Sequence, residues 1–167
     1  GAGGTILYAV TSVTSPSGAS ITNSWDDDGD GVTDRIQTID TVTNGNGSKT
    51  ETIVNKVGAV MATAIVTSRV VTTRSADGKS VVIDRDSTGG GWFDQHEVQT
   101  INTDGSRTNS ISDLSQSGAV IRPVSETISI DGKTRTTATD EDGSGTADTT
   151  TTHTITVNAN NSRTEVV

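Results

Sequence analysis

The sequence predicts an all-β fold, an antiparallel up-and-down meander of about twelve strands, and three observations carry that expectation. Stretches such as SVVID, HEVQTI, ETISI and THTITV are rich in β-branched residues and alternate partly with period two. No segment carries a sustained apolar stripe at helical spacing. Turn-forming dipeptides recur at near-even intervals along the chain. Hydrophobic residues make up only 29% and aromatics 2%, so a thick core is not expected. An elongated twisted sheet, a spiral or two packed layers fit better than closure into a three-bladed propeller.

The turns come in two kinds. Ser17-Gly18, Asn46-Gly47, Asp77-Gly78, Asp104-Gly105, Asp131-Gly132 and Asn160-Asn161 suit two-residue hairpin turns, which need positive φ. Their spacings of 29, 31, 27, 27 and 29 residues correspond to one strand out, a second turn and one strand back. The intervening turns are alternately an acidic, Gly-rich loop and a Gly-Ala-Val corner, the latter at Gly58-Ala59-Val60 and Gly118-Ala119-Val120. Successive turns of a meander alternate edges. All six dipeptide turns should therefore lie along one edge, and the acidic loops and corners along the other.

The chain is also a repeat. Asp26 and Asp34 follow Gly18 by 8 and 16 residues, and the same offsets separate Asp86 and Asp94 from Gly78, and Asp140 and Asp148 from Gly132. Gly4 precedes Gly18 by 14 residues as Gly118 precedes Gly132, whereas Gly58 precedes Gly78 by 20. The second unit thus carries six extra residues, expected within MATAIVTSR. Three four-strand units follow, 4–57, 58–117 and 118–167, read as a slice of a longer array.

Charge and composition narrow the function. Leu, Ile, Val and Phe total 34 of 167 residues, and the net charge is −9. Such a chain is near the composition at which acidic sequences stay unfolded, so bound divalent cations would remove charge and add stability together. The 12 Lys and Arg form no cluster, which argues against nucleic acid. Nothing approaches the length of a membrane span. With no cysteine, disulfides and thiolate metal sites are excluded.

DDDGDGVTD, from Asp26 to Asp34, places oxygen-bearing residues at alternate positions of one tight loop. Asp26, Asp28 and Asp30 are the expected side-chain ligands, Val32 offers its carbonyl, and Asp34 binds directly or through water. DEDGSGTAD repeats the set as Asp140, Asp142, Ser144, the Thr146 carbonyl and Asp148. Oxygen-only ligation selects Ca2+. The likeness to an EF-hand loop ends after nine residues, because the twelfth position holds Gln37 and Thr151 in place of a bidentate Glu. Weak sites of the extracellular kind, with dissociation constants of about 10⁻⁴ to 10⁻³ M, are expected. The middle loop, DSTGGGWFD, keeps Asp86 and Asp94 but has Thr88 and Gly90 in the centre. Two readings stand for it: weak binding through Asp86, Thr88 and Asp94, or a turn that survives without metal on packing by Trp92 and Phe93. The residues favour the second.

Through SADGKS, NTDGSRT and DGDGVTD the chain resembles the Thr/Asp/Gly-rich tandem repeats of large secreted hemolysin-type (RTX-like) and type I secreted adhesin proteins of Gram-negative bacteria. The GGxGxDxxx nonapeptide of that group is absent, so its parallel β-roll is not implied. The resemblance implies export unfolded through a low-calcium cytoplasm and folding outside the cell.

The leading expectation is a calcium-rigidified spacer in a secreted or cell-surface protein, an adhesin, whose partners are calcium ions and adjacent repeats. The alternative is a calcium-dependent module holding a surface glycan, through the calcium edge or the alternating Thr of TADTTTTHTITV. An enzyme is not expected. His96 and His153 occupy non-equivalent repeat positions and read as solvated strand residues, no Ser sits in a nucleophile motif, and Trp25 and Trp92 read as local packing anchors.

Overall fold

A computed structural model describes residues 7–167; Gly4, the expected start of the first unit, lies outside them. The fold is all-β. The first four strands are β1 (Ala9–Thr14), β2 (Ser20–Asp26), β3 (Arg35–Thr43) and β4 (Lys49–Val57). The next four are β5 (Ile65–Arg74), β6 (Ser80–Asp86), β7 (Gln95–Ile101) and β8 (Arg107–Leu114). The last four are β9 (Val120–Ile128), β10 (Thr134–Thr139), β11 (Thr149–Val157) and β12 (Arg163–Val166). All pair antiparallel in one sheet whose spatial order is the sequence order, with β1 and β12 at opposite, unjoined edges. The unit boundaries at 57/58 and 117/118 fall in the β4–β5 and β8–β9 connections.

The arrangement is a single open layer, not a packed pair. Ile36, 4% exposed, is the only buried apolar side chain among the described residues. The accessible surface is 10467 Å², against about 7,800 Å² expected for a compact chain of this mass. A layer open on both sides leaves most side chains half-buried, and cohesion comes from backbone ladders and cross-strand neighbours.

Those neighbours are organised in rows on each face. On the front face Ile21, Ile39, Ile53 and Val70 stand opposite one another across β2 to β5. Beside them runs an amide ladder: Asn23 Nδ2 donates to Gln37 Oε1 (3.2 Å), Gln37 Nε2 to Asn55 Oδ1 (2.9 Å), and Asn55 Nδ2 to Ser68 Oγ (2.9 Å). Across β6 to β9 charges take over, as Arg85 bonds Gln95 and Glu97, and Arg122 pairs with Asp113. A one-residue slip would carry each of these groups to the opposite face, so the rows pin the register.

All six dipeptide turns do lie on one edge, and the acidic loops and corners on the other. The turns themselves are longer than expected. Ser15, Ser75 and Ser129 donate their amides to Ser20, Ser80 and Thr134, closing four-residue loops. Asn44, Asn102 and Asn158 close three-residue loops on Ser48, Ser106 and Ser162. In each, a single residue takes positive φ, Gly in five and Asn161 in the sixth. The two-residue expectation fails because a polar side chain one residue before that position accepts hydrogen bonds across the turn, as Asp77 and Asp104 do from Lys79 and Ser106 amides.

The two Gly-Ala-Val corners also differ. The connection between Val57 and Ile65 has seven residues against five between Leu114 and Val120, and in it Val60 O accepts from the amides of Thr63 and Ala64. The second corner is a tight turn closed by Ser115 and Ala119, and Val120 already opens β9. Past both corners the strand bulges, as Asn55 pairs with Ser68 but Lys56 with Val66, and Asp113 with Arg122 but Leu114 with Val120. The middle and third acidic loops fold back onto these bulges. A Cβ on Gly89 would lie 2.1 Å from Val66 O, and one on Gly143 2.7 Å from Ile121 O.

Gly18 (φ +72°), Gly89 (φ +71°) and Gly143 (φ +69°) share a backbone conformation but differ in surroundings, since a Cβ on Gly18 meets nothing within 4 Å. Gly18→Ala should cost about 1 kcal/mol, the left-handed penalty alone, and Gly89→Ala more than about 2 kcal/mol because backbone must also move. Urea denaturation should order the losses Gly89→Ala, Gly143→Ala, Gly18→Ala. Equal losses would disprove the docking of loops onto bulges.

Candidate metal centre

Each acidic loop joins two strands by one main-chain scheme. The ninth residue's amide closes the loop on the residue before the first: Asp34 N to Trp25 O (2.7 Å), Asp94 N to Arg85 O (2.8 Å), Asp148 N to Thr139 O (2.9 Å). The fourth and sixth positions are left-handed, with φ of +69° to +76° at Gly29, Gly89 and Gly143 and +83° to +88° at Gly31, Gly91 and Gly145. Only glycine takes two such turns in three residues without strain. The reversals aim the intervening amides inward.

Those amides meet the first-position carboxylate. Asp26 accepts from Gly29 (2.6 Å) and Gly31 (2.9 Å), Asp86 from Gly90 (3.1 Å) and Gly91 (2.9 Å), and Asp140 from Ser144 (3.1 Å) and Gly145 (2.6 Å). The ninth-position carboxylate caps the second residue's amide: Asp34 for Asp27, Asp94 for Ser87, Asp148 for Glu141. Sequence reasoning assigned Asp26, Asp34, Asp140 and Asp148 only to metal. Their equal spacing in the eroded middle loop was the available signal that they also hold the turn.

The structure gathers three carboxylates in each of two loops. Asp26, Asp28 and Asp34 bring oxygens within 4.8 Å of one another, and so do Asp140, Asp142 and Asp148. A carboxylate carries about four acceptor positions, so one accepting two amides still has lone pairs for a cation. Asp30 is not among the gathered carboxylates, whereas Ser144 meets the second cluster, its amide and hydroxyl both bonding Asp142. Asp30 Oδ1 accepts from the Val32 amide (2.7 Å), and Ser144 Oγ from the Thr146 amide (3.4 Å). Val32 and Thr146 therefore bond these side chains through their amides. Carboxylates this close repel, and a hard cation between them relieves that repulsion while keeping the amide bonds.

The middle loop gathers no third carboxylate. Asp86 is 1% exposed, and the Thr88 hydroxyl leans on it (3.4 Å). Trp92 closes over Gly90, where a Cβ would lie 2.8 Å from Nε1. Phe93 stacks beneath the Arg69 guanidinium at 4.4 Å. In the first loop Arg35 lies 5.2 Å from the Trp25 ring centre and grips Asp27 with both nitrogens (2.6 and 2.7 Å). That Asp27–Arg35 pair was not anticipated, although a cation directly following the ninth position was visible. His96 and His153 are exposed in part and each meets a carboxylate, Asp84 at 2.7 Å and Glu165 at 3.6 Å.

No protein-family model matches the chain, and neither a curated protein nor a solved structure does. The site must be read from its own chemistry.

Several carboxylates are held below their ordinary pKa. Burial pushes Asp86 up, but the amides of Gly91, Gly90, Gly89 and Thr88 together outweigh it. The Arg35 hydrogen bond lowers Asp27. The Ser106 hydroxyl, then its amide, lowers Asp104, while the Ser75 and Ser129 hydroxyls do the same for Asp77 and Asp131. A carboxylate depressed in the folded state stabilises it above the unfolded value, and that contribution is lost as pH falls through the folded pKa. In chelator, thermal stability should thus be level from pH 7 to 5 and fall steadily below about pH 4. A melting temperature at pH 3 equal to that at pH 6 would contradict this account.

Proposed function

We propose that the chain is a calcium-stabilised structural repeat module, a spacer within a large secreted or cell-surface bacterial protein of the adhesin kind. The observation behind it is the pair of three-carboxylate clusters, Asp26/Asp28/Asp34 and Asp140/Asp142/Asp148, at equivalent places in two units. Both stand on one edge, eight strands apart in the meander, and the eroded loop lies midway between them. A one-layer sheet of net charge −9 has little apolar burial to oppose its self-repulsion. Cations bound on the acidic edge supply both neutralisation and cross-links between neighbouring strands.

The magnitude suits an extracellular brace. For a dissociation constant of about 10⁻⁴ to 10⁻³ M in about 1 mM free calcium, each site contributes about 0.4 to 1.4 kcal/mol. At cytoplasmic calcium the contribution vanishes, which accords with export unfolded and folding outside. The resemblance to secreted hemolysin-type and adhesin repeats supports the same setting.

The glycan-holding alternative draws on one observation. Thr136 and Thr152 stand opposite on the back face with hydroxyls 3.3 Å apart, in a row continuing through Thr127, Thr108 and Thr100. Such a row is equally a solvated β-surface, and the spacer reading accounts for more of the chain.

Calorimetry of the chain should show a higher melting temperature in millimolar Ca2+ than in EDTA. Replacing Asp28 and Asp142 together by Asn should remove most of that difference while leaving the melt in EDTA nearly unchanged. An identical melting temperature in the two buffers would refute calcium stabilisation.

A further inference from the structure

The outermost strands, β1 and β12, each leave one row of main-chain donors and acceptors without a strand beside it among the described residues. Natural sheets guard such strands with charge, proline or a bulge. β1 has none of these. Its sequence, AVTSVT, is uncharged, β-branched at four of six positions, and paired with β2 without a break in register. β12 is shorter and carries one charge of each sign, Arg163 and Glu165. Apolar side chains stand open on both: Val10 is 51% exposed, Val13 60%, Val166 61% and, just past β12, Val167 84%.

An open strand by itself names no partner, but the repeat does. Within the chain the last strand of one unit twice meets the first strand of the next, β4 with β5 and β8 with β9. Both junctions keep one register. The residue that opens the fourth strand faces the residue that closes the following one, Lys49 opposite Arg74 and Arg107 opposite Ile128. Two residues further in, Glu51 faces Thr72 and Asn109 faces Glu126. Two beyond that, Ile53 faces Val70 and Ile111 faces Val124, and these four aliphatic side chains are half-buried.

Arg163 opens β12 and Thr14 closes β1. The same rule applied to the outer strands sets Arg163 opposite Thr14, Glu165 opposite Ser12 and Val167 opposite Val10, an aliphatic rung where both junctions have one. On the back face it sets Thr164 beside Val13 and Val166 beside Thr11. Each exposed valine of the two strands gains a neighbour. No like charges meet, whereas Lys49 faces Arg74 at the first internal junction.

We infer that β12 of one copy of this chain pairs antiparallel with β1 of a second copy in this register, so that copies add end to end as units do within the chain. The two strands differ, so the contact is head-to-tail. A dimer keeps one free β1 and one free β12, and growth does not close. The contact is also small. It has five residue pairs, Arg163 to Val167 against Thr14 to Val10, where the internal junctions have nine and eight. No covalent corner joins the partners, so pairing must offset their lost translational freedom. Association is therefore weak and concentration-dependent, and a net charge of −9 on each copy makes it stronger as salt rises. No residue of the acidic loops takes part, so failure of the calcium reading would leave the contact standing.

The chain has no cysteine, so cross-linking can read the register directly. Ser12→Cys and Glu165→Cys chains are mixed in equal amounts and mildly oxidised in millimolar Ca2+, with circular dichroism showing each variant folded. Directly opposite residues fit disulfide geometry. The mixed disulfide should outnumber the two like dimers together several-fold. Thr11→Cys mixed with Glu165→Cys, one residue out of register and on the other face, should give only the random share. Sedimentation of the unsubstituted chain should show dimers and then longer species between micromolar and millimolar concentration. Val10→Lys should weaken this several-fold, while Val42→Lys, at a valine 57% exposed on β3, should leave it unchanged. The inference is overturned if the Ser12/Glu165 mixture gives only the random share, if Ser12→Cys chains couple chiefly with one another, if the chain stays monomeric throughout, or if Val42→Lys weakens association as much as Val10→Lys.

Discussion

Every feature of this protein depends on the backbone ladder between sequence-adjacent strands, because there is no second layer to hold a strand in place. In a two-layer domain a misplaced strand is corrected by the core it must fill. Here one apolar side chain among the described residues is buried, and each interior strand is held by its two neighbours alone. Cohesion is therefore local and additive along the array, as in other repeat architectures. Register has to be enforced by what stands on the faces. The amide ladder from Asn23 to Ser68 and the charged network from Arg85 to Arg122 do so, each bond restricting a strand whose slippage no core would resist.

That constraint explains how the acidic loops are built. A loop on the edge of a single layer cannot pack into an interior, so it must satisfy its own amides. The first and ninth aspartates do this in all three loops, whether or not a third carboxylate is present. The middle loop lacks the third carboxylate and keeps the turn, with Trp92 and Phe93 filling in beside it. Holding the turn leaves these aspartates free lone pairs with which a cation could be held. The same geometry sorts charge across the sheet, with carboxylate clusters along one edge and unpaired cations on the front face towards the other.

Much of the architecture was legible in residue order. Gly18, Gly78 and Gly132 set the unit, the offsets to the aspartates set the loops, and edge alternation followed from meander geometry. The number of residues in each hairpin was not legible, because Ser-Gly and Asp-Gly suit several turn types and the choice lies in hydrogen bonds made by Ser75, Asp77 and Asn102 across the turn. The gathering of carboxylates was legible for Asp26, Asp28 and Asp34 and their repeats. The local bonding of Asp30 and Ser144 was not legible: their side chains also accept from the next amide but one.

The sequence by itself determined the strand order, the repeat length and the edge on which each turn lies, since these follow from local turn chemistry and alternating direction. Only the tertiary structure decided that the sheet stays a single open layer, that the loops dock on bulges at Val66 and Ile121, and that Lys49, Arg74, Asn109 and Glu126 share one row. Those outcomes depend on pairing register between strands. A bulge of one residue at Thr67 or Ile121 resets which side chains meet across the sheet, and no local pattern in the sequence announces it.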